Sequence, residues 1–261
     1  MKNKNEYVFI IHVGEVTKLV RDCVQTLRQT NPSCDICLFT IPDQTNNLEL
    51  LEKYNVKFFN VDKNLWNGRR MTCKIEYFSY FVEKLVPDDS RVIISDSDII
   101  FQSDPFTVFE NDFDLFCTSR GYTHKYSINA GFWGPRKNEK TVSLLNHFKA
   151  EILNPEWEEF INFRERERRL APPAYENYID WWSDQDYLCV LYDCGFHPKV
   201  ENLSIFDATN RFNFCPDSRG PQGPDQALKE MLDKIGNLDY PVLHFKGQEF
   251  KRWYSEGKFN N

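Results

Sequence analysis

The opening of the chain alternates between two periodicities, and that alternation restricts the fold more than any other feature. Tyr7–Gly14, YVFIIHVG, is a continuous apolar run ending in glycine, as expected for a strand buried on both faces of a parallel sheet. The next segment, EVTKLVRDCVQTLRQTNP, carries Val16, Leu19, Val20, Val24 and Leu27 at helical spacing and stops at Asn31-Pro32. DICLFTIP then predicts a second strand, NLELLEKYNV a short helix and KFFNVD a third strand. A β-α-β-α-β opening is the signature of an open α/β sheet.

The fourth repeat of this pattern ends in acid. Met71–Asp89 keeps Ile75, Phe78, Phe81, Val82 and Leu85 at helical spacing until Pro87 stops it. RVIIS follows as a fourth strand and runs into Asp96-Ser97-Asp98. Ligands of open α/β sheets bind at the carboxyl ends of the strands, where these carboxylates fall. In extended chain, residues i and i+2 point to one side, so Asp96 and Asp98 can address one point. Two like charges held there need a cation, or one must stay protonated. Mg²⁺ or Mn²⁺ suits oxygen ligands and would also bridge substrate phosphates. A calcium loop of the EF-hand type is excluded, because Ile99, Ile100 and Phe101 stand where it needs glycine and further oxygen ligands. Aspartate-nucleophile phosphatases also end a strand in D-x-D, but usually the first strand; here three precede it. Asp104 reads as a turn residue before Pro105.

The second half is less regular. DFDLFCTS and SINAGFWG predict strands, and EKTVSLLNHFKAEIL predicts a helix. FRERERRLAPPAYENYIDWW reads as a solvated helix face and a loop, with an acceptor-side loop as the functional alternative. SDQDYLCVLYDCG predicts a helix with Ser183 or Asp184 near its start, CPDSRGPQGPDQ a loop, and YPVLHFKG a final strand. With 261 residues, 41% of them hydrophobic, the chain can bury a sizeable core, and a single domain over 1–261 is expected. A net charge of −7 provides no basic footprint for nucleic acid. The eight cysteines are scattered, and the lone C-x-x-C at Cys34 and Cys37 reads as ordinary thiols. No apolar run approaches the ~20 residues of a membrane span, so no transmembrane segment is expected, and a soluble, cytoplasmic protein is.

Three downstream segments add polar groups. In SINAGFWG, Asn129 precedes a small pair, Ala130-Gly131, where an amide could bond sugar hydroxyls and the backbone could be approached closely. Asp184-Gln185-Asp186 reads either as charge suited to a helix N-terminus or as a cluster facing a reacting sugar. LHFKGQEFKRWY offers His244 as a third metal ligand, and Lys246 or Lys251 to neutralise phosphate.

Together these segments resemble the GT-A-fold glycosyltransferases, most closely glycosyltransferase family 8, the group of glycogenin and the bacterial galactosyltransferases. That family shows D-x-D after a strand, N-[SA]-G, D-Q-D and a C-terminal H-x-x-G-x-x-K-x-W-like segment, in that order. Here they read Asp96-Ser97-Asp98, Asn129-Ala130-Gly131, Asp184-Gln185-Asp186, and His244-Phe245-Lys246-Gly247 with Lys251 and Trp253. The resemblance implies an α/β GT-A (Rossmann-like) fold with a mixed, mostly parallel sheet flanked by helices. Within it, 1–110 would be the nucleotide-binding half, and 111–261 the acceptor-binding half with the metal and diphosphate segment. It implies that Asp96, Asp98 and His244 hold Mn²⁺ or Mg²⁺ on the donor diphosphate, with Ser97, Lys246 and Gly247 beside it. Asn129 and Asp184 would hold donor sugar hydroxyls, with Ala130 and Gly131 next to them. Gln185 would lie near the reacting carbon, and Lys251 would touch the diphosphate. Lys74, or Arg70, matches the family's basic residue on the helix before D-x-D, and Ile11, His12 and Val13 would cradle the base. The implied partners are a nucleotide-sugar donor, in particular a UDP-sugar, and a glycan or glycosylated acceptor facing Tyr175, Tyr178, Trp181 and Trp182. Retention of configuration is implied; an inverting relative would need a carboxylate base such as Asp184 or Asp186. A nucleotidyltransferase or phosphatase using the same carboxylates, or a silent sugar-binding module, stands as the alternative.

Overall fold

The computed structural model describes residues 5–120, 127–170, 178–216 and 223–259. The chain begins β1 (Glu6–Ile11), α1 (Lys18–Thr30), β2 (Asp35–Thr40), α2 (Glu49–Glu52) and β3 (Val56–Asn60). Then come α3 (Lys63–Gly68), α4 (Arg70–Tyr80), β4 (Arg91–Ser95) and β5 (Ile99–Phe101). β6 (Leu115–Cys117), β7 (Phe132–Pro135), α5 (Glu139–Leu153), α6 (Glu158–Leu170) and α7 (Tyr178–Cys194) follow. The last elements are β8 (Ile205–Asp207), α8 (Thr209–Phe212), β9 (Asn213–Phe214), α9 (Gly223–Leu232), β10 (Val242–His244) and α10 (Gln248–Ser255).

The main sheet has seven strands in the order β3-β2-β1-β4-β7-β6-β8. β1 to β4 run parallel, β7 runs against both β4 and β6, and β8 is parallel to β6. This is the mixed, mostly parallel α/β arrangement expected. Side chains alternate between two apolar layers, as the pleat requires. Phe9, Phe39, Val92 and Ile94 join one layer, with Phe78 of α4, Phe148 of α5 and Tyr187 of α7. Val8, Ile10, Leu38 and Ile93 join the other, with Val20, Val24 and Leu27 of α1. Each fully buried phenylalanine contributes roughly 1.5–3 kcal/mol. Cys34 and Cys37 go to opposite layers as free thiols, and burial pushes both up to about 12. They cannot act as a pair.

A second sheet, β5-β10-β9, stands apart. β10 runs antiparallel to β5, with His244 opposite Ile99, and a third apolar cluster under it includes Phe245, Phe250 and Trp253. This sheet was not anticipated beyond its β10 strand.

Several expectations are corrected. The helix expected over Met71–Asp89 begins at Arg70, and after Tyr80 it widens into a π-helical turn over Phe81–Leu85. Lys137 Nζ closes that end by donating to the carbonyls of Glu83 (3.1 Å) and Val86 (2.7 Å). α7 starts at Tyr178, so Asp184 lies nearly two turns inside it and not near its start. The helix-dipole reading of D-Q-D therefore fails. The strand expected over SINAGFWG is confined to Phe132–Pro135, with Ile128 bridging Ser119 before it. Helix α9 occupies the end of the segment expected as a loop, whose residues 217–222 lie outside those described. Among the described residues, no helix is long and apolar enough to cross a membrane.

Candidate active site

β4 delivers the acids to a corner. The Asp96 amide donates to the Gly131 carbonyl (2.8 Å) just beyond β4, and the chain then turns into β5. The antiparallel pairing of β5 with β10 continues one step further, where the Phe245 amide donates to the Asp98 carbonyl (2.8 Å). That register sets His244 against both aspartates. His244 Nε2 lies 3.1 Å from Asp98 Oδ1 and 3.6 Å from Asp96 Oδ2, and one ligand atom from each of the three falls within 4.8 Å of the others.

Gly131 leaves this cluster room. A Cβ at that position would meet His244 Cε1 at 2.2 Å and Asp96 Oδ2 at 2.6 Å, so a close approach, not a special φ, requires glycine there. Asn129, expected to face sugar hydroxyls, is buried behind the cluster: its Oδ1 accepts from the Gly131 amide (3.0 Å), and its Nδ2 lies 3.2 Å from His244 Nδ1.

Two lysines balance the acids. Lys74 Nζ, from α4, donates to Asp96 Oδ1 (2.9 Å) and to Asp184 Oδ2 (3.4 Å). Burial works against its charge, but Asp96 and Asp184 outweigh burial and hold it above the usual lysine range. Lys251 Nζ, from α10, lies 2.9 Å from Asp98 Oδ2. Burial would raise the Asp98 carboxyl, yet His244 and Lys251 hold it well below the usual carboxylate range. The His244 imidazole, completely buried, would be lowered by burial; Cys215 and Asp98 raise it instead, to about 9.

The residues fit a divalent cation. Two carboxylates and one imidazole converge, a donor set suited to Mn²⁺ and tolerated by Mg²⁺. Asp98 Oδ1 and His244 Nε2 are buried and face each other at 3.1 Å, so a cation that displaces the imidazole proton would find both atoms converging on it.

α7 supplies the second group. Asp184 is held by Lys74, and its Oδ1 accepts from the Gln185 amide (2.8 Å). Gln185 Oε1 accepts from Arg120 Nη2 (3.1 Å). Asp184 and Gln185 border the same cleft as Asp96 and Asp98; Asp186 is fully buried and does not.

The cleft has a volume of about 360 Å³. Ile11, His12 and Val13 close one side of it, and the His12 ring meets Ser97 Oγ (Nδ1, 3.0 Å) and the Glu15 carbonyl (Nε2, 3.0 Å). Ala130, Gly131, Lys246 and Gly247 line it too. Gly247, at φ 94, starts α10 in a conformation that a side chain would strain. Sequence reasoning missed three residues here: Trp66, Met71 and Arg120. Trp66 and Met71 line the cleft, and the Arg70 guanidinium lies 5.8 Å from the Trp66 ring centroid. An aromatic beside a basic pair, WNGRR, was the available signal for Trp66; nothing local marked Arg120. Tyr175 lies outside the described residues, as do the side chains of Tyr178, Trp181 and Trp182.

The nucleotide-diphospho-sugar transferase family model matches residues 79–216, more than half of the chain and the stretch that carries D-x-D, N-A-G and D-Q-D. The chain belongs to that family. No curated protein matches it. Among solved structures, it is similar to the glycosyltransferase GlyE of Streptococcus pneumoniae TIGR4 (TM-score 0.54, 17% identity, 97% of this chain and 59% of that one). It is also similar to the galactosyltransferase LgtC in complex with donor and acceptor sugar analogs (0.52, 12%, 98% and 96%). A third is a glycosyltransferase involved in glycosylation of the major capsid of PBCV-1 (0.51, 12%, 96% and 98%). At these identities the likeness is one of fold, and the chain spans about three fifths of GlyE.

Proposed function

We propose that this member of the nucleotide-diphospho-sugar transferase family moves a hexosyl or pentosyl group from a UDP-sugar to a glycan or glycosylated acceptor, with retention of configuration, as a family 8 glycosyltransferase. One observation carries the reading. Residues from β1, α4, the β4–β5 corner, α7 and the β10–α10 segment line a single cleft at the carboxyl ends of β1 and β4. A fold that gathers three metal-type ligands and two lysines there is suited to a diphosphate ester.

In this reading Asp96, Asp98 and His244 would hold Mn²⁺ or Mg²⁺. When bound, the cation supplies a Lewis acid that neutralises charge on the departing diphosphate. The chain's own residues do the rest. Ile11, His12 and Val13 form the wall for the base, with Ser97 fixing the His12 ring. Lys251 is only half withdrawn from solvent, so its ammonium can reach from Asp98 to the leaving diphosphate oxygens; Lys246 and Gly247 border the same path. Charge builds on those oxygens as the sugar–phosphate bond breaks, so cations aimed there favour the transition state over the ground state. Asp184 orients sugar hydroxyls, and Lys74 ties its carboxylate to Asp96. Asn129 acts from behind, fixing the His244 ring, in place of the hydroxyl contact expected from its motif. Asp186 acts on the packing of α7.

The reading is tested by thermal unfolding with UDP and a panel of UDP-sugars, with and without Mn²⁺. At a hundred times its Kd, a ligand of the folded state should raise Tm by roughly 5 °C. A rise with UDP that requires Mn²⁺ is expected, and turnover should release UDP. Absence of any nucleotide effect, or release of pyrophosphate, would sink the reading.

A further inference from the structure

Gln185 is a cleft residue whose polarity the surrounding protein dictates. Its side chain is almost wholly buried, at 2% exposure, and still borders the cleft. Its Oε1 accepts from Arg120 Nη2 at 3.1 Å. A guanidinium has donors only, so the carboxamide must turn its oxygen toward Arg120 whichever way the amide is assigned. The Nε2 group is then left as the end facing away. It is buried and makes no hydrogen bond among the described residues. A buried amide donor left without an acceptor destabilises the folded chain, and a ligand oxygen placed there would remove that penalty.

Arg120 is held for this task from its backbone. Its amide donates to the Ser127 carbonyl at 2.8 Å, next to the Ser119–Ile128 bridge that follows β6. Gln185 is held from the other side, its amide bonded to Asp184 Oδ1 and its helix packed against α4. Both partners of the 3.1 Å contact are therefore anchored before any ligand arrives.

We infer that Arg120 is a positioning residue that pins the Gln185 carboxamide so that Nε2 donates a hydrogen bond to an oxygen of the transferred sugar. This rests on the sugar-transfer reading above and adds to it the direction of the contact. The sugar meets an N–H donor at Gln185, and the carbonyl oxygen, already engaged by a cation, is withdrawn from any role as nucleophile. Arg120 itself need not touch the sugar. Its effect passes through the amide, and it is directed at the sugar and not at the nucleotide.

The test measures Kd by titration calorimetry in Mn²⁺, for UDP and for UDP-glucose, UDP-galactose and UDP-xylose. Arg120→Met should leave the Kd of UDP within about twofold and weaken the UDP-sugar that binds best by roughly tenfold. Gln185→Ala should do the same. Gln185→Glu, which keeps an oxygen for Arg120 and deletes the donor, should lose as much. The double variant Arg120→Met/Gln185→Ala should be no weaker than Gln185→Ala alone, and Arg120→Lys should recover part of the loss. Losses that multiply in the double variant, or that fall equally on UDP, would overturn the inference. The pin is also read without ligand, by NMR of the side-chain amide that disappears in Gln185→Ala. That signal should shift in Arg120→Met while its neighbours hold; an unmoved signal overturns the pin even where binding data agree. If UDP fails to bind the wild-type protein, sugar transfer itself falls, and the amide signal still decides whether Arg120 sets the orientation.

Discussion

Two acid-x-acid triplets of this chain are spelled almost alike and behave differently. Asp96-Ser97-Asp98 sits where β4 turns into β5, and both carboxylates converge on His244. Asp184-Gln185-Asp186 sits inside α7, where Asp184 and Gln185 border the cleft and Asp186 turns away into the protein. The backbone makes the difference. Between β4 and β5 the chain bends at Ser97 and Asp98, and the β5–β10 pairing brings both carboxylates to one histidine, whereas on a helix residues i and i+2 stand roughly 200° apart. The same spelling therefore gives a metal-type pincer in one place and one carboxylate plus one amide in the other. A triplet acquires its chemistry only from the element that carries it.

The largest effect should come from the pincer. Asp98→Asn removes a charged oxygen and should weaken Mn²⁺ binding, read by calorimetry, by about 100-fold or more. Equal affinity in this variant would mean that the corner is a solvated turn. Next is the room inside the pincer. Gly131→Ala should cost roughly 1–3 kcal/mol in urea unfolding and also impair Mn²⁺ binding, because its methyl collides with both His244 and Asp96. Gly134→Ala, which would strike the Val92 carbonyl at 1.9 Å, should destabilise while sparing metal affinity. If both variants spare the metal, the cluster is not where the cation binds.

The helix triplet should split. Asp184→Asn should weaken UDP-sugar binding roughly tenfold and cost about 1–3 kcal/mol by loosening buried Lys74. Asp186→Asn should alter stability alone, leaving UDP-sugar affinity within about twofold. Equal losses in binding would erase the distinction between them.

The smallest effect extends the comparison to a histidine without carboxylates. His197 is buried too, though less deeply than His244, and packs against Trp157, Tyr187 and His147. Burial, then His147 and Lys199, lowers it to about 4, whereas at His244 burial is outweighed by the Cys215 sulfur and Asp98, which lift it to about 9. Above pH 6.5 His197 is neutral in both folded and unfolded chains. As pH falls toward 4, the unfolded chain takes up a proton that the folded one refuses, so stability is lost across that window. His197→Phe should flatten the fall in urea midpoint between pH 6.5 and 4; an unchanged slope would show that other groups govern it.

The first half of the fold was legible because its signals are local. Tyr7–Ile11 and Asp35–Thr40 are apolar runs, and α1 carries its buried residues at helical spacing. The second sheet was not legible. β5 is three residues long and is a strand only because β10, from the far end of the chain, pairs with it. No window around Ile99 contains that information. α10 did carry a signal, Phe250 and Trp253 at helical spacing on a single face, which the basic residues between them obscured. Of the site, Asp96, Asp98 and His244 were readable as residue types, but their meeting depends on the β5–β10 register. Arg120 could not be read at all, since it meets Gln185 only once the segment after β6 reaches α7.

The β5–β10 pairing has a consequence in time. It joins two segments separated by most of the chain, so closing that loop is among the most entropically costly contacts of the fold. On the ribosome the paired aspartates emerge long before their histidine. Until Val242–His244 arrives and docks, β5 presents an unpaired edge, and the acids repel each other without their third partner. The site thus cannot close before β10 has docked, and its completion reports that the middle and the C-terminal segment of the chain have met.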